Sequence, residues 1–445
     1  MRDFLGLIEC ADSRRNEGNM IERIKLALAK TGVSVYQISE TKEESVELFF
    51  IRKSLDMRRR KAVKKASVTV YREFSEGEKR YLGSSSTVLQ DSLTDEEIEK
   101  QIASAWYAAS FVKNLYYELP EGERKESVHA SSGLADKELA ESAQIYAKAL
   151  FAEDTEEDVF LNSTEVFLKR TWHRIVNSRG IDVSYVNERA SGEFVVQCIG
   201  EQDVETYVDF AYHDLETEAL RRKVRAALEQ TRARASAVQA PPAGNYRVIL
   251  SGDYVPTLLS YYVDRAGTAY VYQKYSNYEV GCKVQGEEVC GDAINLTLKA
   301  TVPYSGEGIA LEDRELVKDG SLQLLHGGIR FAYYLGVEPT GHYDGLTAKA
   351  GTVSLEEMKQ QPYLHVVNFS DFQMDSFSGH FGGEIRLAYW FDGEKVVPVT
   401  GGSINGSILD VQKNLTFSKE LQTEKDFEGP MAVCMEGISV AGSEE

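Results

Sequence analysis

The sequence predicts an α+β protein built in two parts: an N-terminal region of antiparallel strands and long helices, and a C-terminal domain that is mostly antiparallel β. Three observations carry this prediction. Over the first 235 residues, helical and strand-like patterns come in blocks, a helix then strands then helices, rather than alternating one by one. Residues 236–244, SAVQAPPAG, read as the clearest linker in the chain, with small residues around paired prolines. Beyond residue 245, glycines become frequent and short strands carry turn signals at the roughly 8–12-residue spacing of all-β domains. The expected organisation is an N-terminal α+β domain over 1–235 with a sub-boundary near 120–155, the linker at 236–244, and a β-rich domain over 245–445.

Residues 20–30 place Ile21, Ile24 and Leu28 at helical spacing and stop at Gly32, a suitable C-cap. Strand-like runs follow at 33–39, 45–53 and 66–74, rich in β-branched and aromatic residues. Thr94 with Glu97 forms a capping box that opens a helix expected to run to about Glu118, ahead of Pro120. A second helix is expected over 136–151. Strands are expected at 159–162, 165–175, 181–186, 193–199 and 206–212, with a turn at Asn177-Ser178-Arg179-Gly180 and a charged helix over 214–235. In the C-terminal domain, LLSYYVDR (258–265) reads as a helix start after a strand and turn, and strands at 384–391 and 395–400 flank Asp392-Gly393.

At 445 residues the chain can form two or three domains with sizeable cores. Hydrophobic residues make up 42% and charged residues 27%, the balance of an ordinary soluble protein. No apolar run is long enough to span a bilayer, and the N-terminal MRDFLGLIECADSRRNEG lacks the apolar core of a signal peptide, so a cytoplasmic location without membrane partners is expected. Five scattered cysteines, an odd number, point to reduced thiols. The net charge of −20 repels phosphate backbones and argues against direct nucleic-acid binding. The one exception, RRRKAVKK at 58–65, has no interleaved aromatics for base stacking and reads as a solvated strand-entry segment.

Catalytic signatures are sparse. The seven histidines never approach closer than fifteen positions (His365 and His380), so no H-E-x-x-H zinc motif exists. Cys282 and Cys290 lack a second pair and read as buried thiols. Gly437-Ile438-Ser439-Val440-Ala441 only approximates G-x-S-x-G and reads as a strand, and phosphate-binding glycine motifs are absent. His380 has Asp371, Asp375 and Glu384 nearby, so a general base there is one reading and a structural loop histidine the other. Aromatic density is the positive signal: Tyr254, Tyr261, Tyr262, Tyr270, Tyr272, Tyr275 and Tyr278 fall close together, as at interfaces and peptide-lined clefts, or as β-domain packing.

An ordered series of short motifs carries a family resemblance. RVIL (247–250), Leu258-Leu259, Tyr275-Ser276 with Gly281, Gly306-Glu307-Gly308, Lys318-Asp319-Gly320 and Pro339-Thr340-Gly341 come first. Phe377-Ser378-Gly379-His380-Phe381, Gly401-Gly402-Ser403-Ile404-Asn405-Gly406 and Gly437-Ile438-Ser439-Val440-Ala441-Gly442 complete it. Together with Val176-Asn177-Ser178-Arg179-Gly180 in the N-terminal half, the series resembles the TldD/PmbA family, proteins named as modulators of DNA gyrase and regarded as peptidases.

The resemblance implies a zinc helix, H-E-x-x-x-H after a Leu-Leu entry, completed by a distant cysteine, with a zinc-bound water as the attacking group. Aligned on Leu258-Leu259, the first histidine falls on Ser260, the glutamate on Tyr261 and the second histidine on Arg265, and the cysteine's region, about 421–429, contains none. The chain is thus similar to the PmbA (TldE) branch, which lacks the zinc motif. Similarity to that branch implies a non-catalytic or regulatory subunit of a TldD/TldE-type cytoplasmic metallopeptidase acting on unfolded or extended peptides. No cofactor is expected in this chain, with zinc only in a partner subunit. The partner is a zinc-bearing TldD-like paralogue in a heterodimer, or a second copy in a homodimer. Ser260, Tyr261, Tyr262, Arg265 and His380 are the expected substrate or partner groove. The alternative is a stand-alone homodimer of the same fold that binds peptides or another ligand without proteolysis. A third reading gives a new site to His380, Asp371 and Asp375.

Overall fold

The computed structural model describes residues 20–129, 132–200 and 203–442. The N-terminal segment read for targeting, and Cys10, lie outside them. The first half runs α1 (Met20–Thr31), β1 (Tyr36–Ile51), β2 (Ser54–Glu76), β3 (Lys79–Gln90), α2 (Asp95–Ala109) and β4 (Val128–His129). It continues through α3 (Leu139–Ala152), β5 (Val159–Asn177), β6 (Asp182–Cys198), β7 (Val204–Tyr212) and α4 (Thr217–Ala235). One sheet ordered β3-β2-β1-β5-β6-β4, with β7 also on β6, gathers these strands. The helices cover one of its faces. Ile21, Ile24 and Leu28 of α1 and Ile98 and Ile102 of α2 pack on Ile38, Val68 and Val70, while Tyr146 and Leu150 of α3 and Leu220 and Val224 of α4 pack on Val46, Val166 and Phe194.

The second half begins with β8 (Val238–Gln239), β9 (Gly244–Ser251), α5 (Tyr254–Arg265) and α6 (Thr268–Tyr272). Next come β10 (Leu296–Lys299), β11 (Arg314–Lys318), β12 (Ser321–Leu322), α7 (Ile329–Leu335), β13 (Gly345–Ala348) and α8 (Leu355–Met358). The chain then forms β14 (Tyr363–Met374), β15 (His380–Phe391), β16 (Val396–Thr400), β17 (Ser403–Ser407) and α9 (Ile408–Val411). It finishes with β18 (Thr416–Phe417), β19 (Leu421–Glu424), β20 (Phe427–Pro430) and β21 (Ala432–Ala441). Two sheets result, β12-β11-β10-β13-β20-β19 and β14-β9-β21-β17-β15-β16-β8. Pairing of β14 with β15 closes β14-β9-β21-β17-β15 into a ring, which removes the exposed edges of those strands. The α+β class is the outcome, with an almost wholly antiparallel strand set.

Several sequence expectations change. The runs at 33–39 and 45–53 are one strand, β1, and those at 159–162 and 165–175 merge into β5 across a register shift between Leu161 and Ser163. The segments 181–186 and 193–199 also merge, because the polar stretch between them still alternates buried and half-buried positions along β6. Gly192 sits within that stretch. A Cβ there would lie 2.1 Å from the Glu165 carbonyl oxygen, so the strands close tightly only over glycine. The α2 capping box forms, Thr94 Oγ1 accepting from the Glu97 amide and Glu97 Oε2 from the Thr94 amide, but the helix ends at Ala109 rather than near 118. Beyond it the chain is extended, because Asn114 accepts from the Leu82 amide and Tyr116 donates to Arg80, satisfying the free edge of β3.

The linker is not free chain. Val238 and Gln239 pair in parallel with Val399 and Thr400 of β16. The Pro241–Pro242 backbone runs so close to Gly442 that a Cβ there would sit 1.7 Å from the Pro241 carbonyl oxygen. LLSYYVDR, expected to start a helix, is instead the C-terminal two thirds of α5, which begins at Tyr254. Among the described residues, no helix is long and apolar enough to cross a membrane.

Candidate functional site

The hairpin β19–β20 drives its two-residue turn, Lys425-Asp426, into the junction between the N-terminal sheet and α5. Lys425 adopts φ +53°, the left-handed region that costs a non-glycine residue free energy, so the turn is held by its surroundings. Those surroundings are charged. Lys425 Nζ lies 3.0 Å from Asp209 of β7 and 3.3 Å from Asp253, the residue preceding α5. Asp426 receives His213 Nε2 at 2.6 Å and Arg189 of β6 at 3.1 Å. Glu424 pairs with Lys223 of α4. All three acids and bases of the turn are thus committed to partners from the other half of the chain or from the α5 entry.

Burial alone would raise the Asp426 carboxyl; the His213 hydrogen bond and the Arg189 charge outweigh it and hold it below the ordinary carboxylate value. Burial would lower the Lys425 ammonium, yet the Asp253 and Asp209 carboxylates keep it above its ordinary value. For Glu424 burial dominates and pushes the carboxyl up, with Lys223 only partly compensating. Three clefts meet around this turn. One of about 430 Å³ lies along α5 between Ser260, Asp344 and Lys425. A second of about 350 Å³ runs between Glu188, His213, Lys299 and Asp426, and a third of about 490 Å³ between Tyr212, Lys223, Tyr254 and Glu424.

The five residues expected to line one groove are distributed differently. Ser260 borders the α5 cleft, and its hydroxyl donates to the Thr257 carbonyl at 2.8 Å. Tyr261 is buried at 3% exposure, its ring edge-on to Tyr262 at 5.2 Å. Tyr262 has 0% exposure and donates to Gln412 Oε1, so it belongs to the hydrophobic core and not to a groove, as a correction to the sequence reading. Arg265 folds back, donating to the Tyr275 carbonyl at 2.6 Å and to Asn277 Oδ1 at 3.1 Å, with its guanidinium 5.7 Å from the Tyr261 ring and 5.5 Å from Tyr278. His380 opens β15 and lines a separate, open cleft of about 690 Å³ with Asp371, Asp375 and Glu384. Asp375 is held below its ordinary value chiefly by the Ser378 hydroxyl. Of the tyrosine cluster, Tyr261, Tyr262 and Tyr278 are buried and only Tyr275 is largely exposed.

Residues 243–442 match the family model of the PmbA/TldA metallopeptidase C-terminal domain. The C-terminal half belongs to the PmbA/TldD family. An uncharacterised protein of Methanocaldococcus jannaschii is 25% identical over 341 residues, covering 69% of this chain and 79% of that protein. Three solved structures share the fold. TldE of Thermococcus kodakarensis superposes with a TM-score of 0.75 at 15% identity, over 95% of this chain and 100% of that one. Proteins described as modulators of DNA gyrase give 0.74 at 17% identity (Thermotoga maritima) and 0.75 at 17% (Bacteroides thetaiotaomicron), each over 95% of this chain and 99% of theirs.

A metallopeptidase family implies a metal, and the PmbA/TldD-type helix here does not fit one. Its three aligned positions supply a hydroxyl, a phenol and a guanidinium, of which the first and last are spent on internal hydrogen bonds. The nearby acids Glu424 and Asp426 are consumed by cations. Among the described residues, no group of three or more His, Cys, Asp or Glu side chains is placed to hold a metal ion. Sequence reasoning located the 421–429 region only as a place without cysteine. It missed the charge cluster because its partners lie far away in the chain; His213 and Asp426 are 213 positions apart. The signal available was the turn Glu424-Lys425-Asp426, three charges where a hairpin usually has Asn or Gly.

Proposed function

We propose that this chain is the non-catalytic or regulatory subunit of a TldD/TldE-type metallopeptidase that acts on unfolded or extended peptides in the cytoplasm. One observation carries the reading: α5, the helix that bears H-E-x-x-x-H in the zinc-bearing branch, here presents Ser260, Tyr261 and Arg265, each hydrogen-bonded or packed within its own chain. No step of the hydrolysis is assigned to this chain. Zinc belongs to a TldD-like partner carrying the full motif, and the clefts beside Ser260 and Lys425 border the peptide path that the partner completes. Their mixed, paired charges suit backbone recognition of varied sequences rather than one side chain.

The purified chain, alone and mixed with a zinc-bearing paralogue, is assayed on an unfolded peptide with and without chelator. The expected result is cleavage only in the mixture, abolished by chelator. Chelator-sensitive cleavage by the chain alone sinks the proposal. Peptide binding by a homodimer that no paralogue activates replaces it with a stand-alone binding protein.

A further inference from the structure

The basic run at 58–65 is not a strand entry but the middle of β2, and β2 is longer than the strand beside it. β3 pairs only with residues 65–76 of β2. Over residues 54–64 the strand is paired on one side to β1 and, among the described residues, has no strand neighbour on the other. Ten consecutive residues, 54–63, are exposed on both faces. This edge is preformed. The turn before it is pinned by the Arg52 amide donating to the Asn162 carbonyl at 2.8 Å, and β1 is paired to β5 along its length. A segment docking there would face a strand already ordered, so the entropic cost falls on the ligand alone.

The edge has a definite chemistry. Leu55, Met57 and Val63 are 50%, 43% and 49% exposed, a hydrophobic contribution along the strand. Six cations lie between Arg58 and Lys65 in a chain whose net charge is −20. Arg59 and Lys61 are answered by the buried Glu47, and Lys64 by Glu40 and Asp91. Among the described residues, no carboxylate reaches Arg58, Arg60 or Lys65 within ion-pair distance. Charge on an open edge disfavours pairing with the same edge of a second copy, and by the same rule it favours an opposite one. The run carries no aromatic platform for nucleobases, whereas its unpaired backbone amides and carbonyls are the groups an added strand uses.

We propose that the outer edge of β2 at residues 54–64 is a docking site for an acidic, extended segment of a protein partner, which joins the N-terminal sheet as an added strand. The site is independent of the peptidase reading, because it lies on the N-terminal sheet, on the far side of β1 from β5 and β6.

The test measures binding of a labelled peptide of about a dozen alternating Glu and Val residues to the full chain by fluorescence anisotropy. Three comparators accompany it: the matching Lys–Val peptide, the Glu–Val peptide with alternate backbone amides N-methylated, and an oligothymidylate of equal charge. The acidic peptide is expected to bind, the Lys–Val peptide not to, and N-methylation and the R58E/R60E substitution each to weaken binding roughly tenfold or more. Both arginines are exposed, and circular dichroism confirms that the substituted chain is folded; if it is not, the N-methylated peptide decides. Equal binding of the N-methylated peptide overturns the proposal, since charge alone would then suffice. Tighter binding of the oligothymidylate assigns the edge to nucleic acid, and self-association abolished by R58E/R60E assigns it to a second copy; either result overturns it.

Discussion

Tyr262 donates to Gln412 from a position with no exposed surface, and the edge-on Tyr261 ring stands against it. Tyr262→Ala therefore opens a cavity that close-packed neighbours cannot refill, and should cost about 4 kcal/mol, read as a lower urea midpoint at unchanged slope. A loss under about 1 kcal/mol together with weakened peptide binding would return the ring to a groove. His365 poses a different residue-scale case. It is buried in β14, bonds Ser251 Oγ at 3.0 Å, and burial drives its pKa down to about 3. The folded state thus resists protonation while the unfolded chain takes a proton near the ordinary value of 6.5. The unfolded state binds more protons between those values, so this contribution to stability is intact above pH 6.5 and is lost as the pH falls toward 3. His365→Gln keeps a partner for Ser251 and should flatten stability against pH below 6.5; an unchanged slope would mean the ring is protonated in the fold.

Among elements, the N-terminus of α2 gives the plainest test. Thr94→Ala removes one half of its capping box and should lower stability by about 1 kcal/mol, with little further loss when Glu97→Ala is added, because the two bonds act together. Full additivity in thermal melts would show the two bonds to be independent. This cap was legible from Thr94 and Glu97 alone, since it is local in sequence; the end of α2 was not, since residues 111–116 are captured by β3. The same division runs through the strands. Alternation located parts of β1, β2, β5, β6, β7, β15 and β16 but missed β3 and β14, and did not show which runs were continuous, because continuity of β1, β5 and β6 is set by pairing partners far along the chain. The tyrosine density left interface and packing both open as causes, and for Tyr261, Tyr262 and Tyr278 the cause is packing in the core of the C-terminal half.

For the whole molecule, the ties between halves are apolar as well as ionic: Tyr304 packs with Ile175 and Val183, and Ile329 with Leu82 and Tyr117. Lys223 on α4 and Glu424 on β19 are 16% and 14% exposed, so neither charge is well hydrated without the other. Lys223→Met alone should cost about 3 kcal/mol by leaving Glu424 buried and uncompensated. Lys223→Met with Glu424→Leu should recover most of it, as an apolar pair replaces an ion pair. A double variant no better than the sum of its singles, in urea titrations, would show that the two side chains do not couple. Folding and family were visible in the sequence as an ordered string of glycine-rich turns; this cross-domain wiring was not, because no local pattern marks a pair 201 positions apart.

The connection through Val238 and Gln239 has a mechanical meaning. Between β8 and β9 only residues 240–243 intervene, and both ends are fixed in the same sheet, so the tether carries no slack. It works as a strut rather than a hinge. Ser236 and Ala237 are then the whole length of chain between α4 and the C-terminal sheet, so any swing of one half against the other turns on two residues.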